Sequence, residues 1–113
     1  MAVEVVELTQ ALYSTSKRLD KGADVITSKA KEFAQAEKDY RMALAREITK
    51  LKISGMPVTL INDLARGNEE VANCKFNRDL AENTFKASRD MLNALAVEVS
   101  ALQSILKVQE KIE

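Results

Sequence analysis

Ser54-Gly55-Met56-Pro57 is the strongest punctuation in the chain, and the ten residues after it, Val58-Thr59-Leu60-Ile61-Asn62-Asp63-Leu64-Ala65-Arg66-Gly67, are followed by Asn68. Gly55 suits the position just past a helix end, where a left-handed backbone is needed. Pro57 cannot continue a helix but can open one as its first residue. Lys50 and Lys52 sit where a helix C-terminus favours cations. Leu60, Ile61 and Leu64 are spaced as one face of a short helix, and Arg66-Gly67-Asn68 stops it. Asn68 is a good N-cap for a further helix, with Glu69 and Glu70 in its first turn.

On either side of this punctuation the chain steps by threes and fours. Upstream the stops are Val5, Leu8, Leu12, Thr15, Leu19, Ala23, Ile26, Ala30, Phe33, Glu37, Tyr40, Leu44, Ile48 and Leu51. That is a helical stripe, with consecutive steps of four at Leu19 and Leu44 that relax left-handed supercoiling. Thr15 and Glu37 are polar intrusions. Gly22 is the weak point, costing about 1 kcal/mol relative to Ala; the stripe continues in phase across it, which favours one helix with a soft spot, a break at Gly22 being the alternative. Downstream the stops form a steady heptad: Val71, Cys74, Arg78, Ala81, Phe85, Ser88, Leu92, Leu95, Val99, Leu102, Leu106 and Gln109. Leu92 to Leu106 is the clearest coiled-coil signal.

The expected fold is therefore all-α: one domain, 1–113, forming a long, coiled-coil-like antiparallel helical hairpin. Its helices cover about 3–53 and 68–112, with a short helix in the turn at 55–67. Composition agrees. Of 113 residues, 46% are hydrophobic but only 4% aromatic, with one Pro and three Gly. Helix–helix seams are filled by Leu, Ile, Val and Ala rather than by rings. Met91, Ile105 and Ile112 widen the apolar face beyond a two-helix seam. Together with Leu95 and Leu102 they are the candidate self-association residues, and the expected assembly is a dimer forming a helical bundle.

Chemistry is sparse. Histidine is absent, Cys74 is the single cysteine, and no Gly-rich phosphate loop occurs. The commonest general base and metal ligand is missing, and Cys74 at a stripe position reads as a small buried hydrophobe. Carboxylates such as Glu82 lie at helical spacing from lysines and read as solvated helix faces. The expectation is a protein with no catalytic, metal or cofactor site. One cysteine suits a reducing cytoplasm. There is no uninterrupted run of 18 apolar residues and no signal-peptide pattern, so neither a membrane segment nor export is expected.

Lys plus Arg and Asp plus Glu each number 17, so no global field draws the chain to nucleic acid. Locally, residues 41–78 carry Arg41, Arg46, Lys50, Lys52, Arg66, Lys75 and Arg78 against Glu47, Asp63, Glu69 and Glu70. The candidate partner or nucleic-acid contact is therefore Lys50, Lys52, Arg66, Lys75 and Arg78 around Leu60 and Ile61. The bland reading of the same cations is helix capping and solubility. A helix-turn-helix would need a recognition helix where this pattern has one of about 44 residues, and a hairpin-closing element is simpler.

The pattern Ala36-Glu37-Lys38-Asp39-Tyr40-Arg41-Met42-Ala43-Leu44-Ala45, with Gly55-Met56-Pro57 through Ala65-Arg66-Gly67, resembles that of small helical proteins of unassigned function encoded by phages and prophages of Gram-positive bacteria. The likeness continues through Val71-Ala72, Lys75-Phe76, Arg78-Asp79 and Ala81-Glu82, covering residues 30–110. Such proteins sit among early genes for recombination and replication, which implies a DNA-metabolism setting in a bacterial host cell. The resemblance brings no catalytic residues with it. It differs from the secreted WXG-type hairpins, which carry Trp-X-Gly in the turn.

Overall fold

The computed structural model describes residues 4–112, and among them there are three helices and no strand. Helix α1 covers Val5–Ile53, α2 covers Val58–Gly67 and α3 covers Glu69–Ile112. The long helices α1 and α3 pack against each other as a helical hairpin.

The turn is built from cap chemistry. Gly55 takes φ +82°, its N–H donates to the Lys52 carbonyl, and the Met56 N–H donates to the Leu51 carbonyl, both at 3.1 Å. This pair of bonds is the Schellman ending, which satisfies carbonyls the helix would otherwise leave open. Pro57 stands at the N-cap of α2, one residue before its expected place as the first helical residue. Asn68 both ends α2 and starts α3. Its backbone is extended, its N–H donates to the Ala65 carbonyl, and its Oδ1 accepts the Val71 N–H at 3.1 Å. Gly67 is not in a left-handed conformation, so the reversal falls on Asn68 alone.

The chain divides into two compact units, Lys29–Phe85 and Met1–Ser28 with Lys86–Glu113. In the turn unit, Ala43, Ile61, Ala65 and Val71 are buried, so α2 closes over the end of the seam with one face. Phe33 and Phe85 meet with ring centroids 6.3 Å apart. Arg46 donates to Glu70 at 2.9 Å, and Glu37 pairs with Arg78, so α1 numbering rises as α3 numbering falls.

The terminal unit is held by Leu8, Thr15 and Leu95, all buried, with Leu12, Leu19, Leu92, Val99, Leu102 and Leu106 half-buried beside them. Thr15, read as an intrusion, donates its hydroxyl to Glu98 at 3.3 Å, which satisfies it inside the seam. Every stop of the α3 heptad is buried or half-buried.

The α1 stripe needs correction at two stops. Ala23 and Ala30 are exposed, while Gly22 and Lys29 are half-buried and take the seam positions. The steps are then a regular alternation of three and four from Leu8 to Phe33, without the pair of fours read at Leu19. Gly22 does not interrupt the helix. A Cβ built there would lie 2.8 Å from Leu92 Cδ1, so the missing side chain is what lets α3 place Leu92 against α1.

Candidate interaction surfaces

The basic cluster read at the turn separates into two sets. Arg78 is half-buried rather than free for a partner. Its Nε donates to Glu37, its Nη1 donates to Asp79 at 3.1 Å, and Nη1 lies 3.6 Å from Glu82. Its guanidinium also sits 5.9 Å from the Phe33 ring centre, within cation–π range. Glu37 accepts a second bond, from Arg41 Nε at 2.8 Å. The Arg78 hydrogen bond, then that of Arg41, holds the Glu37 carboxyl below its ordinary range. The bond to Glu37 raises the Arg78 pKa. Lys75 Nζ lies 2.9 Å from Asp79 and is the leading cause of that carboxyl's lowered pKa. Arg78 and Lys75 thus neutralise carboxylates of their own chain.

Lys50, Lys52 and Arg66 are exposed, lie in the last turns of α1 and α2, and form no ion pair among the described residues. Of the two apolar candidates beside them, Leu60 is exposed. Ile61 is 3% exposed and belongs to the core beneath α2, because the α2 face carrying Ile61 and Ala65 is the one turned inward. Ile53 and Val58, which periodicity did not single out, are among the most exposed large apolar residues of the turn unit.

The second surface lies along α3 in the terminal unit. Of the five self-association candidates, Leu95 is 7% exposed and Leu102 is half-buried, so both belong to the α1–α3 seam and neither is available to a partner. Met91, Ile105 and Ile112 stay outside at 63%, 47% and 73% exposure. They recur every seventh residue through Glu98, and Ala87, Ala94, Ala101 and Val108 form the parallel row next to them; these are exposed too, Val108 at 57%. Val108 stands outside the stripe that periodicity picked out. Its signal was present all the same, as a second heptad displaced by one position from the seam.

Beside Met91 this face runs into a groove of about 240 Å³ lined by Arg18, Gly22, Val25, Met91, Leu92 and Leu95. Gly22 lies on its wall, where the space a side chain would take is already filled by Leu92. By length and composition α3 also qualifies as a membrane-crossing helix, over an 18-residue window that is 6% buried. The expectation of no such segment rested on the lack of an unbroken apolar run. Polar Asn93, Glu98, Ser100, Gln103 and Ser104 interrupt the sequence but leave two apolar stripes, and one of these is the seam.

Among the described residues no group of three metal-ligating side chains converges. Cys74 is half-buried at the floor of a shallow site with Asp39, Met42, Arg46 and Glu70. No protein family, curated protein or solved structure matches the chain.

Proposed function

We propose that this chain is a non-enzymatic helical interaction protein, acting by protein–protein contact in the cytoplasm of a bacterial host and accessory to phage or prophage recombination or replication. The observation that carries the interaction reading is the α3 flank of Met91, Ile105 and Ile112 with Val108 in the adjoining row, exposed beside a seam that is already complete without it. Apolar side chains aligned along one helix flank are the mark of a docking face rather than of scattered surface residues. The phage setting is what the sequence resemblance implies.

The test is affinity capture from phage-infected cells with wild type and with Ile105→Lys, the captured proteins being identified by mass. A partner held by wild type and lost in the variant is expected. Equal capture by both would discard the α3 face as the surface that holds another protein, and capture of nothing would discard the accessory role. A captured host enzyme whose activity falls on binding would make the protein an inhibitor.

A second reading, direct contact with nucleic acid at the turn, is favoured by one feature: Lys50, Lys52 and Arg66 stand without carboxylate partners. It has lost Lys75 and Arg78, two of the five cations first assigned to it.

A further inference from the structure

The α3 flank has a pattern finer than its exposure. One row reads Met91, Glu98, Ile105, Ile112, and the row beside it reads Ala87, Ala94, Ala101, Val108. Bulky side chains thus face one way and small ones the other, repeated every seven residues. A surface of this kind is complementary to itself when turned end for end, because antiparallel helices set one row against the other in successive layers.

We propose that the occupant of this flank is a second copy of the chain, with α3 running antiparallel to the partner's α3 about a two-fold axis between Val99 and Ser100. The proposal rests on the interaction reading above and specifies its geometry. In this register Ala87 faces the partner's Ile112, Met91 faces the partner's Val108, Ala94 faces the partner's Ile105, and Glu98 faces the partner's Ala101. The two-fold repeats each layer. Every long side chain meets a shorter one, the condition for interdigitation. Glu98 is the polar exception, and its carboxylate already accepts the Thr15 hydroxyl of its own chain.

Charge selects the same register. In an antiparallel pair, the residue just before each bulky layer faces its counterpart from the other helix. Here that sets Asp90 against the partner's Lys111, and by symmetry Lys111 against the partner's Asp90. Within its own chain Asp90 has Arg89 at 3.7 Å, a long and exposed pair that holds it weakly. Sliding the helices by one heptad in either direction removes the Asp90–Lys111 match. One slide sets Asp90 against the partner's Ser104, and the other sets Glu98 against the partner's Val108. A parallel, in-register pair would stack Glu98 on the partner's Glu98 and leave Ala on Ala. Size and charge therefore agree on one arrangement.

The flank is about 39 Å long and about 10 Å wide, roughly 400 Å² per copy and about 800 Å² in total from α3 alone, which is below a standard stable interface and in the range of weak, transient contacts. The groove at Gly22 and Val25 extends it onto α1. Association in the micromolar range is expected rather than nanomolar.

The test uses the full chain carrying Asp90→Cys and Lys111→Cys in a Cys74→Ser background. Along one helix the two sites are about 31 Å apart, far beyond disulfide reach, so any 90–111 bridge joins two chains. Mild oxidation should give a covalent dimer whose peptide map joins residue 90 to residue 111. Bridges of 90 to 90 and 111 to 111 would overturn the antiparallel register. A chain that stays monomeric in sedimentation at about 200 µM, a concentration well above a micromolar Kd, would overturn the dimer. So would co-sedimentation with phosphatidylglycerol vesicles in place of cross-linking, since the flank would then face lipid.

Without cysteines, Asp90→Lys should weaken dimerisation by roughly tenfold, two exposed pairs each turning from attraction to repulsion. Adding Lys111→Asp should restore it; no restoration would refute the charge match. Capture from infected cells separates the two readings. A monomer that still captures a protein through Ile105 loses the dimer alone, and a cross-linked dimer that captures nothing loses the accessory role alone.

Discussion

Replacing Gly22 by Ala tests whether this glycine is a soft spot or a packing device. In an exposed helix interior the change stabilises by about 1 kcal/mol, the propensity difference between the two residues. Here the new Cβ arrives 2.8 Å from Leu92 Cδ1, too close for either to stay in place. Leu92 is half-buried, and its methyl can swing aside at a cost of about 0.5–1.5 kcal/mol for an off-rotamer side chain. Gain and cost are comparable, so Gly22→Ala should leave stability within about 0.5 kcal/mol of wild type. In a Leu92→Ala background the obstructing methyl is gone and the full gain of about 1 kcal/mol should return. Gly67→Ala supplies the control: that glycine has open space around it and no left-handed φ, and its replacement should stabilise by about 0.4–1 kcal/mol. The assay is urea unfolding followed by circular dichroism at 222 nm, run on the four variants and wild type. If Gly22→Ala stabilises as much as Gly67→Ala, with no coupling to Leu92, the close approach of α1 and α3 at this layer is refuted.

The caps, the polar cluster and the turn carry further expectations. Asn68→Ala removes the acceptor for the Val71 N–H and should cost about 1 kcal/mol in urea unfolding; no change would mean the cap contributes nothing. Glu37 and Asp79 have folded pKa values below their unfolded ones, so their stabilisation is present above about pH 4.5 and is lost as pH falls through the lower folded values. The Tm should therefore drop as pH falls below about 4.5, and Glu37→Gln should flatten that drop; an unaltered acid limb would show that the Arg78 cluster does not couple to folding. Reversing Lys52 and Arg66 to Glu should weaken any binding to DNA at low salt without changing helix content, and wild type that binds neither single- nor double-stranded DNA would end that reading.

The two seams were unequally legible, for a physical reason. In α3 each seam position from Val71 to Gln109 followed from periodicity, because steps of three and four alternate without a break, even across polar Arg78, Ser88 and Gln109. In α1 the stripe was displaced at Ala23 and Ala30, since alanine looks more like a core residue than glycine or lysine does. What decides those layers is the partner: Leu92 needs a gap, and Gly22 supplies it. Lys29, the other corrected seam stop, is half-buried and reaches Glu32 at 3.3 Å, a behaviour no hydropathy pattern announces. The turn was readable from Gly55 and Asn68 because caps obey local rules. Arg78 was placed in the seam by the heptad, but its pairing with Glu37 was not readable, nor was the burial of Ile61, because both depend on which residues the other helices bring opposite them.

Whether the outer row of α3 is an interface decides the functional reading. Sedimentation equilibrium of wild type and Ile105→Lys, from about 5 to 200 µM, spans the range in which a small helical interface should associate. Wild type should move from monomer toward twice the chain mass as concentration rises, while Ile105→Lys stays monomeric with unchanged helix content. A wild type that remains monomeric throughout, or a variant that dimerises as well as wild type, would contradict it.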